Sequence, residues 1–248
     1  WDFTAVYFDA LDHFSHLGMK YHPPKMQGIT DDDFIKYNYI VEAAYRFHDM
    51  MLDRLLDLAG EDCQVILVSD HGFENSQKRM LHLPDEPGAP ALEHRPYGVF
   101  AASGTRVKKG QVYGASLLDV TPTILQLFGL PLAEDMDGNV IQDAVIQGIT
   151  SFVKTYESNE KTEKVASDSS FIDKDLLKQL EALGYIKTAK TPQEKKVLLS
   201  ENEYYLARSL ADGGKIEEAA EKMNFLQLAF PEVKRYAQYN ASLLLRLG

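Results

Sequence analysis

The chain has 248 residues, of which 45% are apolar, and its formal net charge is −11. This length holds one large domain or two smaller ones, and a chain of this size can bury a core without disulfides. The single cysteine, Cys63, excludes an internal disulfide framework and a cysteine-based zinc cluster. The acidic balance predicts no binding of a nucleic-acid duplex. The sequence also lacks a run of about 18 apolar residues, so no membrane-spanning helix is expected.

The first part of the chain alternates between strand-like and helix-like patterns. Residues 4–8 (TAVYF) predict a short apolar strand, and residues 64–69 (QVILVS) predict another. Between them, apolar residues recur at helical spacing over residues 31–59, with three aspartates at the start and Gly60 at the end. The order strand, helix, strand predicts a βαβ unit whose two strands run parallel.

A long polar loop is predicted over residues 71–96, followed by a strand at residues 97–102. Apolar residues then predict a helix over residues 117–128, which Gly129 terminates. Pro122 is compatible with this helix only near its first turn, so the regular part is expected to begin close to that residue.

The last part of the chain has an all-helical pattern. Residues 206–231 show a helix–turn–helix pattern in which small Ala207 and Ala219 permit close helix packing and two glycines form the turn. The spacing resembles one tetratricopeptide repeat of 34 residues, and residues 234–247 predict the first helix of a second repeat. One and a half repeats cannot bury a solenoid core alone, so they dock on the first domain or continue into further repeats.

These patterns together predict an α/β fold in which helices flank a mostly parallel sheet, followed by an all-α, tetratricopeptide-like segment. The expected boundaries are a first domain at residues 1–149, a linker at residues 150–172 and the helical segment at residues 173–248. The linker assignment depends on its polar composition, which is rich in Ser, Glu and Lys.

Candidate site residues lie where the predicted strands end. Asp70 and His71 directly follow strand 64–69, although such a pair alone is more often a turn and a helix cap. Asp12 and His16 follow strand 4–8 and, being four residues apart, share one face of a helical turn. Sites gather at the carboxyl ends of parallel strands, so the two pairs are expected to converge. His94 lies where the long loop meets the next strand.

Carboxylate oxygens and imidazole nitrogens suit Zn²⁺, and Mn²⁺ is a second possibility. Five such ligands are too many for one tetrahedral ion, so the sequence predicts two divalent metal ions.

Other residues of the same types compete for two of these positions. Asp9 competes with Asp12 for the first ligand position, and His82 competes with His94. His13, His22 and His48 are expected to be ordinary loop, helix or surface residues. For His94 to reach the site, strand 97–102 must run antiparallel to the two earlier strands.

Four segments in this order resemble the alkaline phosphatase superfamily, most closely its type I phosphodiesterase/nucleotide pyrophosphatase branch: YFDALDHFSH, VSDHGF, EHRPYGVFAASG and SLLDVTPTILQLFGLPLAEDMDG. The resemblance covers about residues 1–145. It implies that Asp12, His16 and His94 bind one metal ion and that Asp70 and His71 bind the other. The implied activity is hydrolysis of a phosphate-ester or nucleotide-like small molecule, with both ions holding the phosphoryl group.

The family also uses a further aspartate and a Thr or Ser nucleophile, which lie on earlier strands. Thr4, Ser15 and Ser69 are hydroxyls near the ligands, but none stands in the nucleophile context of the family. The chain opens without Met and enters a strand-like run at once. It is therefore expected to be the C-terminal portion of a metallophosphoesterase, with no catalytic nucleophile of its own and no activity alone.

Two alternatives remain open at the level of sequence. In one, the repeats bind a protein partner and the phosphatase-like domain is a non-catalytic scaffold. In the other, the protein is a phosphomutase or a sulfatase of the same superfamily. Sulfatases usually hold one calcium ion, and His16 and His71 favour transition-type ions instead. The branch that carries such repeats implies a cytoplasmic location.

Overall fold

The computed structural model describes residues 2–84, 89–146, 148, 151–157 and 192–248. Within these residues the chain divides into two compact units, with the boundary between Thr105 and Arg106. No helix in the described ranges has both the length and the apolar character that a membrane crossing requires. The predicted linker at 150–172 and the start of the helical segment fall largely outside the described residues.

In its described residues, the first unit contains three α-helices and four short strands. The helices are α1 (Ala10–Gly18), α2 (Asp31–Tyr37) and α3 (Ile40–Ala59). The strands are β1 (Val65–Val68), β2 (Gly72–Phe73), β3 (His94–Arg95) and β4 (Phe100–Ser103). β1 pairs with β4, and β2 pairs with β3, both in antiparallel orientation.

The predicted strand at residues 4–8 is wrong, because residues 2–9 have no regular secondary structure. A strand forms only where a neighbour pairs with its backbone N–H and C=O groups, and β1 and β4 pair with each other in a two-stranded sheet. The side chains of Phe3, Val6 and Tyr7 are exposed. The predicted βαβ unit is therefore not formed in the described residues, and a mostly parallel sheet is not seen there.

The antiparallel orientation expected for the strand after His94 is confirmed with respect to β1. Val65 lies opposite Ser103, and Val68 lies opposite Phe100. The strand itself is shorter than predicted and begins at Phe100. Gly98 lies against the residue that follows β1, since a Cβ at that position would lie 1.8 Å from the carbonyl oxygen of Ser69.

The long helix predicted over residues 31–59 is broken into α2 and α3 by a turn at residues 38–39. α2 begins after Thr30, whose Oγ1 accepts a hydrogen bond from the backbone N–H of Asp33 at 3.1 Å. α3 then packs on α1, and a Cβ on Gly18 would lie only 2.6 Å from Cγ2 of Ile40. Gly60 ends α3 as predicted, with φ +80°.

The predicted loop at residues 71–96 contains the β2–β3 pair and a 3₁₀ turn at Ala89–Glu93. It is anchored by Arg79, which is 5% exposed. The Arg79 guanidinium donates hydrogen bonds to the carbonyl oxygens of Met19 (2.9 Å), Pro24 (2.7 Å) and His22. Three hydrogen bonds from one cation therefore join the loop to the segment that follows α1.

The second unit begins with a 3₁₀ turn at Leu117–Asp119 and α4 (Val120–Phe128). Gly129 ends α4 in the left-handed region with φ +67°, so the predicted stop is confirmed. Strands β5 (Leu132–Ala133) and β6 (Phe152–Val153) follow and pair in parallel.

Three further helices of the second unit lie in the described residues after 191: α5 (Pro192–Asp212), α6 (Ile216–Ala229) and α7 (Lys234–Leu247). Ala207 and Ala219, predicted to allow close packing, are both fully buried. They belong to a core completed by Ala211, Ala220, Met223, Leu226, Val233, Tyr236 and Leu243. The helices agree with the predicted helix–turn–helix pattern, while the identification as tetratricopeptide repeats stays a prediction.

Candidate metal centre

Four of the five candidate ligands lie together around one carboxylate oxygen. Oδ1 of Asp12 lies 3.5 Å from Nε2 of His16, 3.5 Å from Nε2 of His94 and 3.6 Å from Nε2 of His71. The Nε2 atoms of His16 and His94 are 3.0 Å apart. The side chains of Asp12, His16, His71 and His94 are only 14–20% exposed.

Local structure explains how these side chains meet. Asp12 and His16 lie one turn apart on α1, so their side chains share a face. The β2–β3 pair places His94 opposite Phe73, two residues after His71. The Phe73 ring contacts all three imidazoles edge to face, with centroid distances of 4.9 Å to His16, 5.0 Å to His94 and 5.7 Å to His71. Phe73 therefore provides an apolar wall that limits how the rings can turn.

Asp12, His16 and His94 have the spacing of three ligands on one metal ion. Ligand atoms at the usual zinc distances on a tetrahedral ion are separated by about 3.3 Å. The three separations here are 3.5, 3.5 and 3.0 Å, and all the ligand atoms lie within 4.8 Å of one another. One carboxylate and two imidazoles form a donor set that suits Zn²⁺ and also accommodates Mn²⁺. These residues therefore fit a divalent ion.

His71 and Asp70 differ in how close they lie to the other candidate ligands and in how exposed they are. The His71 ring stacks on His94 with a centroid distance of 3.7 Å and an interplanar angle of 11°. The Asp70 carboxylate is 70% exposed, and its Oδ1 lies 3.8 Å from Nε2 of His71. His71 thus lies inside the cluster, whereas Asp70 lies at its solvent edge. Among the described residues, only Asp12, His16 and His94 form a group of three potential ligands.

The rival candidates lie outside this group. Oδ2 of Asp9 faces Nε2 of His13 at 3.9 Å, and His82 is exposed. Nδ1 of His48 lies 2.7 Å from the carbonyl oxygen of Ala44 within α3. His22 is beside Arg79, and burial together with that guanidinium lowers the pKa of its imidazole.

Sequence reasoning missed Glu93, which enters the cluster from the loop side. Its Oε2 lies 2.7 Å from Nδ1 of His16, and its side chain is 12% exposed. The sequence feature that could have indicated Glu93 is its position directly before the candidate ligand His94. Phe73 was also missed, although it follows Asp70-His71-Gly72 at once. A glutamate or a phenylalanine near a candidate ligand does not by itself indicate a role in the site; the contact with His16 in the structure does.

Comparison with known proteins finds a family match over the first part of the chain. Residues 1–114 match the family model of type I phosphodiesterase / nucleotide pyrophosphatase, which belongs to the alkaline phosphatase superfamily, and the five candidate ligands all lie in this stretch. The described structure of the first unit, with mixed helices and small sheets, is consistent with an α/β domain of that kind. No solved structure matches the chain.

Two curated relatives are 2,3-bisphosphoglycerate-independent phosphoglycerate mutases. The protein from Hydrogenovibrio crunogenus is 30% identical over 124 residues, which cover 48% of this chain and 21% of the mutase. The protein from Bacteroides thetaiotaomicron is 28% identical over 141 residues, which cover 57% of this chain and 23% of the mutase. The chain therefore spans less than a quarter of either relative. The family and both relatives are enzymes, which supports an enzymatic role for the matched region.

Proposed function

We propose that the first unit supplies metal ligands to a centre that hydrolyses phosphodiester, phosphomonoester or nucleotide pyrophosphate bonds. The observation that carries this proposal is the convergence of four candidate ligands, Asp12, His16, His71 and His94. The Nε2 atoms of the three imidazoles lie from Oδ1 of Asp12 at about the distance that separates two ligand atoms on one metal ion. Asp12, His16 and His94 would hold one divalent ion, Zn²⁺ or Mn²⁺. His71 and Asp70 would contribute to a second ion, whose remaining ligands lie outside the described residues.

A divalent ion bound here would supply the positive charge that stabilises a phosphoryl group during transfer. The residues of the chain prepare that position. The Asp12 carboxylate provides negative charge among three imidazoles, and Phe73 covers the rings and limits access of water. The exposed Asp70 carboxylate marks the side from which a substrate enters.

The nucleophile is proposed to come from outside these 248 residues, so the chain alone should not turn over substrate. Two of the three nearby hydroxyls, those of Ser15 and Ser69, donate hydrogen bonds to backbone carbonyl oxygens. Ser15 is buried, and its Oγ donates a hydrogen bond to the carbonyl oxygen of Leu11 at 2.8 Å. Oγ of Ser69 donates to the carbonyl oxygen of His71 at 2.7 Å.

The test is zinc binding by the purified chain, measured by calorimetry and by elemental analysis after dialysis. We expect at least one tightly bound ion per chain and loss of that ion in Asp12→Asn and His94→Ala. His82→Ala is the matched control, because His82 is exposed and lies outside the cluster. Absence of bound metal in the unaltered chain, or equal losses in His94→Ala and His82→Ala, would contradict the proposal.

A phosphomutase is the second candidate, and the similarity to two phosphoglycerate mutases favours it. Both activities use the same ligands, so they must be separated by the fate of the phosphoryl group. The assay requires a polypeptide that contains this chain together with a nucleophile. Release of inorganic phosphate from phosphodiester substrates supports the hydrolase, and isomerisation of a phosphoglycerate without release supports the mutase.

We also propose that α5–α7 form a tetratricopeptide-like unit that binds a protein partner through exposed apolar side chains. Phe225 and Leu228 on α6 are 67% and 72% exposed, and Leu245 on α7 is 85% exposed. If the proposal holds, Phe225→Ser and Leu245→Ser weaken binding of a partner captured by the whole chain. A partner that binds both variants unchanged would contradict it. A cytoplasmic location is part of the same proposal, and fluorescence microscopy of the tagged protein tests it.

A further inference from the structure

The hydrogen bond between Glu93 and His16 has a consequence for the proposed metal centre. Oε2 of Glu93 lies 2.7 Å from Nδ1 of His16, a distance typical of a charge-assisted hydrogen bond. Both side chains are largely buried, at 12% and 17% exposure. A carboxylate oxygen accepts in a contact of this kind, so Nδ1 of His16 is assigned as the donor.

We infer that Glu93 is a positioning residue that holds His16 in the Nδ1–H tautomer with its Nε2 lone pair directed at the metal position. The inference rests on the proposed function. The tautomer of a neutral imidazole is set by the hydrogen bond of its other nitrogen. Nε2 of His16 faces Oδ1 of Asp12 at 3.5 Å and Nε2 of His94 at 3.0 Å, so the lone pair points into the cluster.

The backbone around Glu93 is arranged to hold its side chain there. Glu93 is the last residue of the 3₁₀ turn, and His94 begins β3 immediately after it. The carbonyl oxygen of Glu93 accepts a hydrogen bond from the N–H of Glu74 at 2.9 Å, next to the paired residues of β2 and β3. One short segment thus supplies both a candidate ligand, His94, and the group that orients another, His16.

Glu93 is not itself placed as a ligand. It contacts Nδ1 of His16, whereas the ligand atoms of the cluster gather at Nε2. Its negative charge lies behind the ring and increases the electron density that His16 can donate to a cation. Partners of this kind typically change metal affinity by about 10–100-fold when they are removed.

The experiment uses the whole chain labelled with ¹⁵N in its histidines. Long-range ¹H–¹⁵N NMR spectra of the metal-free protein report the tautomer of each ring, and competition with a chelator reports zinc affinity. We expect His16 in the Nδ1–H form in the unaltered chain. Glu93→Ala should lose this preference and weaken zinc binding about 10–100-fold. Glu93→Gln should be affected less, because its amide oxygen still accepts a hydrogen bond.

Glu74→Ala is the matched control from the same loop. The Glu74 carboxylate accepts a hydrogen bond from the N–H of Ser76 at 2.9 Å and lies 3.4 Å from Arg95, so its loss disturbs the loop without removing the partner of His16. The control should keep the Nδ1–H tautomer. Retention of that tautomer and of zinc affinity in Glu93→Ala would overturn the inference, as would equal effects in Glu74→Ala.

The two readouts separate the inference from the proposed function. If the unaltered chain binds no zinc, the proposed function fails, and the tautomer of His16 in the metal-free protein still decides whether Glu93 sets it. If zinc binds and Glu93→Ala leaves affinity and tautomer unchanged, the metal centre stands and the role of Glu93 is wrong.

Discussion

The first unit and the helical segment α5–α7 are ordered by different forces. In the helical segment, side chains such as Met223, Tyr236 and Leu243 are completely buried in one apolar core. The first unit has fewer buried apolar side chains in its described residues, and Phe3 and Tyr7 remain 60% and 82% exposed. Its most enclosed side chains include two polar ones, Ser15 at 1% and Arg79 at 5% exposure. Close packing of apolar side chains contributes most to the order of the helical segment. Hydrogen bonds and other polar contacts contribute most to the order of the first unit.

This difference implies different sensitivities. A core of close-packed apolar groups responds to lost volume, because a cavity forfeits both burial and contacts. A region held by hydrogen bonds and by a cluster of ligands responds to the loss of single polar groups and to bound ions. Single variants and zinc, each measured against a control, test this difference between the two regions.

Leu226→Ala should produce the largest loss of stability, because Leu226 is 1% exposed in the helical core. A buried Leu→Ala change typically costs about 2–5 kcal/mol of unfolding free energy. Urea unfolding followed by circular dichroism measures the effect. Leu245→Ala is the matched control, since Leu245 is 85% exposed and should cost far less. Equal costs for the two variants would mean that this core does not stabilise the segment.

Arg79→Met should cost about 3 kcal/mol in the first unit, because three carbonyl oxygens lose a charged donor. Hydrogen exchange measured by mass spectrometry should quicken in residues 19–24 and 74–84. Arg54→Met serves as the control, since Arg54 is exposed on α3 and faces Asp57 only at 3.9 Å. Unchanged exchange in Arg79→Met would show that these bonds do not anchor the loop.

Zinc should stabilise the first unit and leave the helical segment unaffected, because all the candidate ligands precede residue 95. A ligand at a hundredfold excess over its dissociation constant stabilises the binding state by about 2.7 kcal/mol. Hydrogen exchange should therefore slow in α1 and β3 on zinc addition and recover with a chelator, while α5–α7 stay constant. The Asp12→Asn variant should show no such response. Equal slowing in α5–α7 would refute the assignment.

Tyr236→Phe should have the smallest effect, about 1 kcal/mol at neutral pH. The Tyr236 hydroxyl lies 2.6 Å from Oε1 of Glu201 and 2.7 Å from Oγ of Ser200. Tyr45→Phe is the control, since Tyr45 is 57% exposed on α3. Chemical unfolding at pH 7 measures both variants, and a cost in Tyr236→Phe no greater than in Tyr45→Phe would contradict the expectation.

The same residue has a pH signature. Burial, followed by the hydrogen bond to Glu201, raises the pKa of Tyr236 above its ordinary value of 10.0. The folded state therefore keeps the proton that the unfolded state releases, and stability should fall as the pH rises above 10. Unfolding experiments between pH 9 and pH 11 should show a steeper decline in the unaltered chain than in Tyr236→Phe. Parallel declines would mean that this hydroxyl does not titrate differently on folding.

The elements predicted correctly depend on residues close to one another in sequence. Gly60 and Gly129 end α3 and α4 because glycine accepts positive φ at low cost, with observed values of +80° and +67°. β1 also forms where its β-branched run predicts it. The run at residues 4–8 has equally suitable residues but pairs with no described strand. Strand propensity alone does not supply a pairing partner, which explains why only one of the two predictions was correct.

The sequence by itself determined which residues could act as ligands and that Asp12 and His16 share a helical face. It also determined where α3 and α4 end and the helical character of the last segment, because periodicity and capping are local properties. Only the tertiary structure decided that His94 meets His16 across 78 positions, that Asp70 stays at the edge and that Glu93 lies behind His16. These contacts depend on how α1 and the β2–β3 pair come together, which no local pattern encodes.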